Sequence, residues 1–247
     1  MMRAELLRVL AYLWAAFGAY WMLASQLKRS SPASGSSSRT PLRIAFLVLT
    51  LALLFAGRDK IPPLVFGALT LAWAAIALYW TASKNTSQSG EFRFYRPLRL
   101  VILALTFCLL FWRQTALGIL GLRFLPDWKA IAIAGFLVTI PGLAMAIWAR
   151  VHLGRYWSDR VVLQENHKLI RSGPYAHMRH PIYSGVLLGV LGTAMVVGEV
   201  RGVIAFLLLL TNYVFKARRE ERILAQQFGA EFSVHQKHAG FLLPKFR

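Results

Sequence analysis

The sequence predicts an all-α, polytopic integral membrane protein of about seven transmembrane helices. Three observations carry this. Of 247 residues, 57% are hydrophobic and 16% charged, against about a quarter charged in an ordinary soluble domain. Apolar runs near the length needed to cross a bilayer, about 20 residues, recur along the chain. The basic residues also alternate between successive loops, as the positive-inside rule requires.

The spans fall at 5–25, 42–57, 62–82, 98–112, 128–149, 181–198 and 202–217. The first has the look of a signal peptide but is not followed by a soluble domain, so it reads as a retained span. The polar linker Ser30–Ser38 (SSPASGSSS) sets it apart from the rest. Residues 1–127 are expected to form accessory transmembrane helices, and 128–247 a separate membrane domain. Asn85-Thr86-Ser87 matches a glycosylation acceptor, but its loop is expected in the cytoplasm and reads as a plain polar loop.

The net charge is +19, from 29 basic and 10 acidic residues. Of the 29, 21 lie in one set of segments: 28–43, 84–99, 150–179 and the tail from Lys216 onward. The bias places the N-terminus outside and the C-terminus in the cytoplasm. No nucleic-acid-binding module accompanies the charge. Anionic lipid headgroups are its natural partner, and nucleic acid is not expected.

Two polar concentrations stand out, both on the cytoplasmic face. The loop at 150–180 holds His152, Arg155, Tyr156, Trp157, Asp159, Glu165, His167, Tyr175, His177, Arg179 and His180. Long ordered loops are more often functional than short ones. The second concentration is Lys216–Arg222 (KARREER). Gly198–Gly202 gives the tight turn by which spans six and seven can form a hairpin. Arg179, His180 and Tyr183 then face Lys216, Arg219 and Glu220.

Each piece alone has a plainer meaning. Ser172-Gly173-Pro174-Tyr175 is a turn. Pro181 is ordinary at the first position of a helix. Lys216, Arg218 and Arg219 suit snorkelling at the interface. Glu220 and Glu221 are harder to dismiss, because acidic residues are scarce and two at a membrane boundary invite partners. Glu220, four residues after Lys216, can also pair with it along the helix. His177/His180 and His235/His238 have a spacing that can place two metal ligands together. Six histidines in total are too few for a multi-histidine iron site, and no metal is expected. The single cysteine, Cys108, excludes an intramolecular disulfide framework and a cysteine-based zinc cluster. Gly-rich phosphate loops and Gly-x-Ser-x-Gly are absent.

Taken in order, His167-Lys168-Leu169-Ile170-Arg171-Ser172-Gly173-Pro174-Tyr175, then Arg179-His180-Pro181-Ile182-Tyr183-Ser184-Gly185, then Arg219-Glu220-Glu221 form a pattern. Leu153-Gly154-Arg155-Tyr156-Trp157-Ser158 precedes it, and Phe228-Gly229, Phe232 and Pro244 follow. This pattern resembles the isoprenylcysteine carboxyl methyltransferase family and the related phospholipid methyltransferases. The likeness covers 128–247, which makes that segment a methyltransferase-like membrane domain.

The resemblance implies methyl transfer from S-adenosylmethionine at the cytosolic membrane surface, in a cofactor pocket built from the C-terminal half. Cofactor contacts would fall on His167, Leu169, Ile170, Tyr175, His180, Pro181, Tyr183 and Glu220. Arg179 would act in catalysis or orient the acceptor. Lys216 occupies a substrate-facing position where an arginine is usual, and offers a point charge in place of a planar fork. A carboxylate acceptor arrives ionised and needs no base; an amine acceptor would need one, for which Glu221 or a histidine is the candidate. The expected acceptor is lipid-like or prenylated, with carboxyl O-methylation of an isoprenylcysteine-like group foremost. Phospholipid N-methylation and an NADPH-dependent membrane sterol or steroid reductase are the alternatives. A non-catalytic membrane scaffold or transporter is a third class; against the transporter, the spans lack the mid-membrane charges of coupled ion sites.

Overall fold

The computed structural model describes residues 2–27, 95–112, 115–154 and 169–245. The expected spans at 42–57 and 62–82 lie outside the described residues, as does His167. Five α-helices occupy the described part: α1 (Met2–Leu27), α2 (Tyr95–Phe111), α3 (Lys129–Leu153), α4 (Pro181–Val197) and α5 (Val200–His238). Short 3-10 turns lie at Gly118–Gly121 and Gly173–Ala176. No sheet forms among the described residues; two isolated bridges, Arg123 with Glu199 and Met178 with Gly240, are the strand-like pairings. Helices α3 and α5 are long and apolar enough to cross a membrane, while Val101–Phe111 and α4 are apolar but shorter. Residues 1–7 and 105–247 form one compact unit and 8–104 another.

The sequence explains how α3 and α4 pack. Glycines at 135 and 142 on α3 meet those at 185, 189 and 192 on α4. A Cβ on Gly192 would stand 2.4 Å from the Gly135 carbonyl oxygen, and one on Gly142 would stand 2.6 Å from the Gly189 amide nitrogen. Both obstacles are backbone, so no side chain can be fitted without moving a helix. Such contact between small residues is how apolar helices gain dispersion energy in a lipid-like setting, where burial alone gives little drive. Thr139 adds hydrogen bonds, its hydroxyl donating to the Gly135 carbonyl at 2.9 Å and to the Gly189 carbonyl at 3.3 Å.

The turn between α4 and α5 is where Gly198 is required. It closes α4 in the left-handed region (φ 69°, ψ 12°), its amide bonding to the Ala194 carbonyl. That conformation strains any residue with a Cβ. The turn is anchored from outside, because Phe124 N–H donates to the Gly198 carbonyl and Val200 N–H to that of Leu122. Arg201, buried at the start of α5, pairs with Glu199 (Nε–Oε2 2.6 Å). Its Nη1 donates to the carbonyls of Leu109 (2.7 Å) and Trp112 (3.3 Å). A cation thus meets the unsatisfied carbonyl end of α2, where the helix dipole favours it.

Helix α5 runs well past the expected end of its span at 217. It stays helical to Phe228, then breaks at Gly229 (φ 48°, ψ −116°) before resuming to His238. The break lets the last turns and the tail fold back to the start of α4. Arg179 N–H donates to the Gly240 carbonyl (2.8 Å), and the N–H groups of Gly240 (3.0 Å) and Lys245 (2.9 Å) donate to that of His177. The Ser184 hydroxyl donates to the Leu242 carbonyl at 2.5 Å.

Candidate active site

The α4–α5 hairpin brings the Arg179-His180-Pro181-x-Tyr183 run against Lys216, Glu220 and Glu221. Pro181, fully buried, opens α4; lacking an N–H, it loses nothing at the first helical position. It also restrains His180 just before it, which is held outside helical geometry (φ −125°, ψ 55°). Lys216, Glu220 and Glu221 follow one another along α5, with Lys216 on the buried face.

Glu221 is held from three sides. Its Oε1 accepts from Arg179 Nε at 2.6 Å and lies 3.2 Å from His180 Nε2. Its Oε2 accepts from Gln236 Nε2 at 3.4 Å. Burial alone would push its carboxyl pKa up. The hydrogen bonds and charges of His180 and Arg179 outweigh that and hold it below its ordinary 4.5. The Arg179 fork also donates through Nη1 to the carbonyls of Ala239 and Gln236, and its guanidinium lies 5.6 Å from the Phe241 ring centroid. Arg179 therefore joins three segments: the start of α4, the middle of α5 and the returning tail.

Glu220 is less enclosed, at 21% side-chain exposure against 13% for Glu221. Its Oε1 accepts from the Tyr183 hydroxyl at 2.6 Å and lies 3.7 Å from Lys216 Nζ. Its Oε2 is 3.7 Å from His180 Nδ1. Tyr183 stacks on His180 (centroids 5.5 Å, 10°) and on Tyr213 (4.7 Å, 25°). The Lys216 ammonium sits 5.2 Å from the Tyr183 ring centroid, within the range of a cation–π contact. The result is a partly exposed carboxylate beside stacked aromatic faces.

Of the predicted residues, Arg179, His180, Tyr183, Lys216, Glu220 and Glu221 converge in this cluster. Tyr175 is buried next to it but turned toward α3. Its hydroxyl donates to the Ala149 carbonyl at 3.4 Å, and its ring stacks on His152. Burial, reinforced by the Glu220 charge, pushes the Tyr175 phenol well above its ordinary 10. Leu169 and Ile170 are half-buried on the loop ahead of the Gly173–Ala176 turn. The sequence reading missed Tyr213, Gln236 and Phe241. Tyr213 precedes Lys216 by three residues, a helical spacing that places it on a neighbouring face, and this signal was there to use. Gln236 and Phe241 reach the site only through the break at Gly229. No group of three or more histidine, cysteine, aspartate or glutamate side chains suited to a metal forms among the described residues.

Residues 133–226 match the model of the isoprenylcysteine carboxyl methyltransferase family. A probable protein-S-isoprenylcysteine O-methyltransferase of Oryza sativa subsp. indica is 32% identical over 121 residues, covering 47% of this chain and 63% of the rice protein. A cobalt-zinc-cadmium resistance protein of Cupriavidus metallidurans is 32% identical over 122 residues, covering 48% of this chain and 54% of its own length. The chain thus spans less than two thirds of either relative. A solved eukaryotic intramembrane Ras methyltransferase of the same family name aligns over 81% of this chain and 94% of its own. Its identity is 16% and its TM-score 0.36, too loose a likeness to define the fold. The segment that is similar to the isoprenylcysteine carboxyl methyltransferase family contains the whole Arg179-His180-Pro181-x-Tyr183 to Glu220-Glu221 constellation.

Proposed function

We propose that the chain is an integral-membrane methyltransferase that uses S-adenosylmethionine and methylates the carboxylate of a lipid-like, isoprenylcysteine-like acceptor. The observation that carries the reading is the convergence, across the α4–α5 hairpin, of Glu220 with Tyr183, His180 and Lys216. The family match over 133–226 supports it and lends nothing to a reductase.

The donor set fits this cofactor. Glu220 is partly exposed and can accept from an α-ammonium or ribose hydroxyl. The Tyr183–Tyr213 pair offers aromatic faces to a cation, and one of those faces already lies near the Lys216 ammonium. His180 can donate to an α-carboxylate. When bound, S-adenosylmethionine supplies an electrophilic methyl group on a sulfonium.

The work of the chain is then alignment and exclusion of water. An ionised carboxylate needs no general base, so Glu221, held by Arg179 and His180, serves as the fixed counter-charge that keeps the Arg179 fork in place. Lys216 supplies positive charge toward the acceptor carboxylate. The apolar helices α3, α4 and α5 give the acceptor's chain a lateral approach, while the polar end of the hairpin admits a water-soluble donor. Seven spans, a cytoplasmic C-terminus and cofactor site, and a catalytic unit within 128–247 complete the proposal.

The test uses the full chain in lipid nanodiscs with methyl-labelled S-adenosylmethionine and an S-farnesylated N-acetylcysteine. Label appearing as a base-labile methyl ester supports the reading. Label confined to a base-stable product, or no transfer to any prenylated carboxylate, overturns it.

A further inference from the structure

The face of α5 that points into the protein carries Arg201, Gly202, Ala205, Leu209, Asn212 and Lys216. The middle of this face is small and apolar, as a membrane helix requires, until Asn212. Its side chain belongs to a residue only 5% exposed, and its Nδ2 has no hydrogen-bond partner among the described residues. A buried amide left unpaired is destabilising, and leucine would fill the same position at no such cost. Asn212 is therefore poorly explained as packing.

Its position suggests a ligand. Asn212 lies one turn below Lys216 on the same face, about 6 Å along the helix axis at 1.5 Å per residue. It is the immediate neighbour of Tyr213, which stacks on Tyr183 of the site. Above it, Lys216 reaches toward Glu220 and the Tyr183 ring. An apolar molecule lying between α4 and α5, with its head group at Lys216, passes Asn212 with the part just below that head.

We propose that Asn212 is an acceptor-binding residue, whose amide donates a hydrogen bond to a carbonyl or carboxyl oxygen of the acceptor within the apolar depth of the helix. The inference rests on the methyltransferase reading above and extends it. It adds a specificity determinant inside the span, separate from the Arg179–Glu221 cluster. Two donors in file, the Asn212 amide and the Lys216 ammonium, suit an oxygen-bearing acceptor. A protonated amine would meet the like charge of the Lys216 ammonium at the head of this file.

The test compares wild type with Asn212→Leu, and with Asn212→Ala should the leucine variant fail to fold. The full chain in detergent is titrated separately with S-adenosylhomocysteine and with S-farnesylated N-acetylcysteine. The expected result is unchanged S-adenosylhomocysteine affinity, at least tenfold weaker binding of the farnesyl compound, and a melting temperature equal to or above wild type. Loss of a purely structural amide moves only the melting temperature, so equal farnesyl-compound affinity in a folded variant overturns the proposal. So does a wild type that binds S-adenosylhomocysteine but not the farnesyl compound. Wild type that fails to bind S-adenosylhomocysteine removes the methyltransferase reading itself, and this proposal with it.

Discussion

Replacing Glu221 with glutamine keeps the shape of the site and removes one charge, and the geometry sets the expected cost. The Arg179 and Glu221 side chains are each 13% exposed and meet at 2.6 Å. Removing one member of a buried pair typically costs about 3–5 kcal/mol, because the other charge is left uncompensated. Here Arg179 keeps the carbonyls of Gln236 and Ala239, and glutamine still offers one oxygen. The cost is therefore placed lower, at about 2–3 kcal/mol. At roughly 2–4 °C per kcal/mol for a chain of this size, melting should fall by about 5–10 °C. Tryptophan fluorescence of the detergent-solubilised protein reads this directly. The Arg179→Met/Glu221→Gln double variant should be less destabilised than the sum of the two singles, since the orphaned charge is gone. The pH dependence has a defined sign. With its folded pKa held below the ordinary 4.5, Glu221 stabilises the fold above that value. The contribution fades as pH falls below 4.5 through the lower folded pKa. Glu221→Gln should lack this part of the acid limb. A variant melting within 1 °C of wild type, with an unchanged acid limb, would refute the argument and leave Arg179 held by carbonyls alone.

Three further outcomes are expected. Gly192→Ala places a Cβ 2.4 Å from the Gly135 carbonyl oxygen, so it should lower stability by roughly 1–3 kcal/mol in the same melting assay, whereas Gly18→Ala, with open space around it, should not. Arg179→Lys keeps the charge and loses the fork; cofactor affinity should hold while turnover falls at least tenfold, about 1.4 kcal/mol of barrier, and near-normal turnover would make Arg179 an interfacial anchor. Reporter fusions at residue 90 and at the C-terminus should both read cytoplasmic, and an opposite reading at residue 90 would overturn the order of the first three spans.

The parts of the site legible in the sequence are those governed by short-range rules. Gly198 marks the end of α4, Pro181 marks its start, and the two fix a hairpin whose polar ends must meet. From that alone Arg179, His180 and Tyr183 are expected to face Lys216, Arg219 and Glu220; the structure sets His180 and Tyr183 against Glu220 and pairs Arg179 with Glu221 instead. The spans at 128–149 and 181–198 likewise sit close to α3 and α4. What escaped is long-range. A glycine within a helical pattern is usually tolerated there, so nothing local announced that Gly229 breaks α5 and returns the tail to Arg179. Gln236, Ala239 and Phe241 entered the site by that route. The glycines of α3 and α4 were visible as spacing, with Gly185 and Gly189 four apart. Only the paired helices reveal that their backbones touch.

The central claim is that the cluster around Glu220 and His180 holds the methyl donor, and calorimetric titration of the full chain with S-adenosylhomocysteine tests it most directly. Wild type should bind one equivalent saturably. Glu220→Gln and His180→Ala should each weaken that binding at least tenfold, about 1.4 kcal/mol, with both variants still folded by melting. No binding to wild type, or wild-type affinity in both folded variants, would contradict the account.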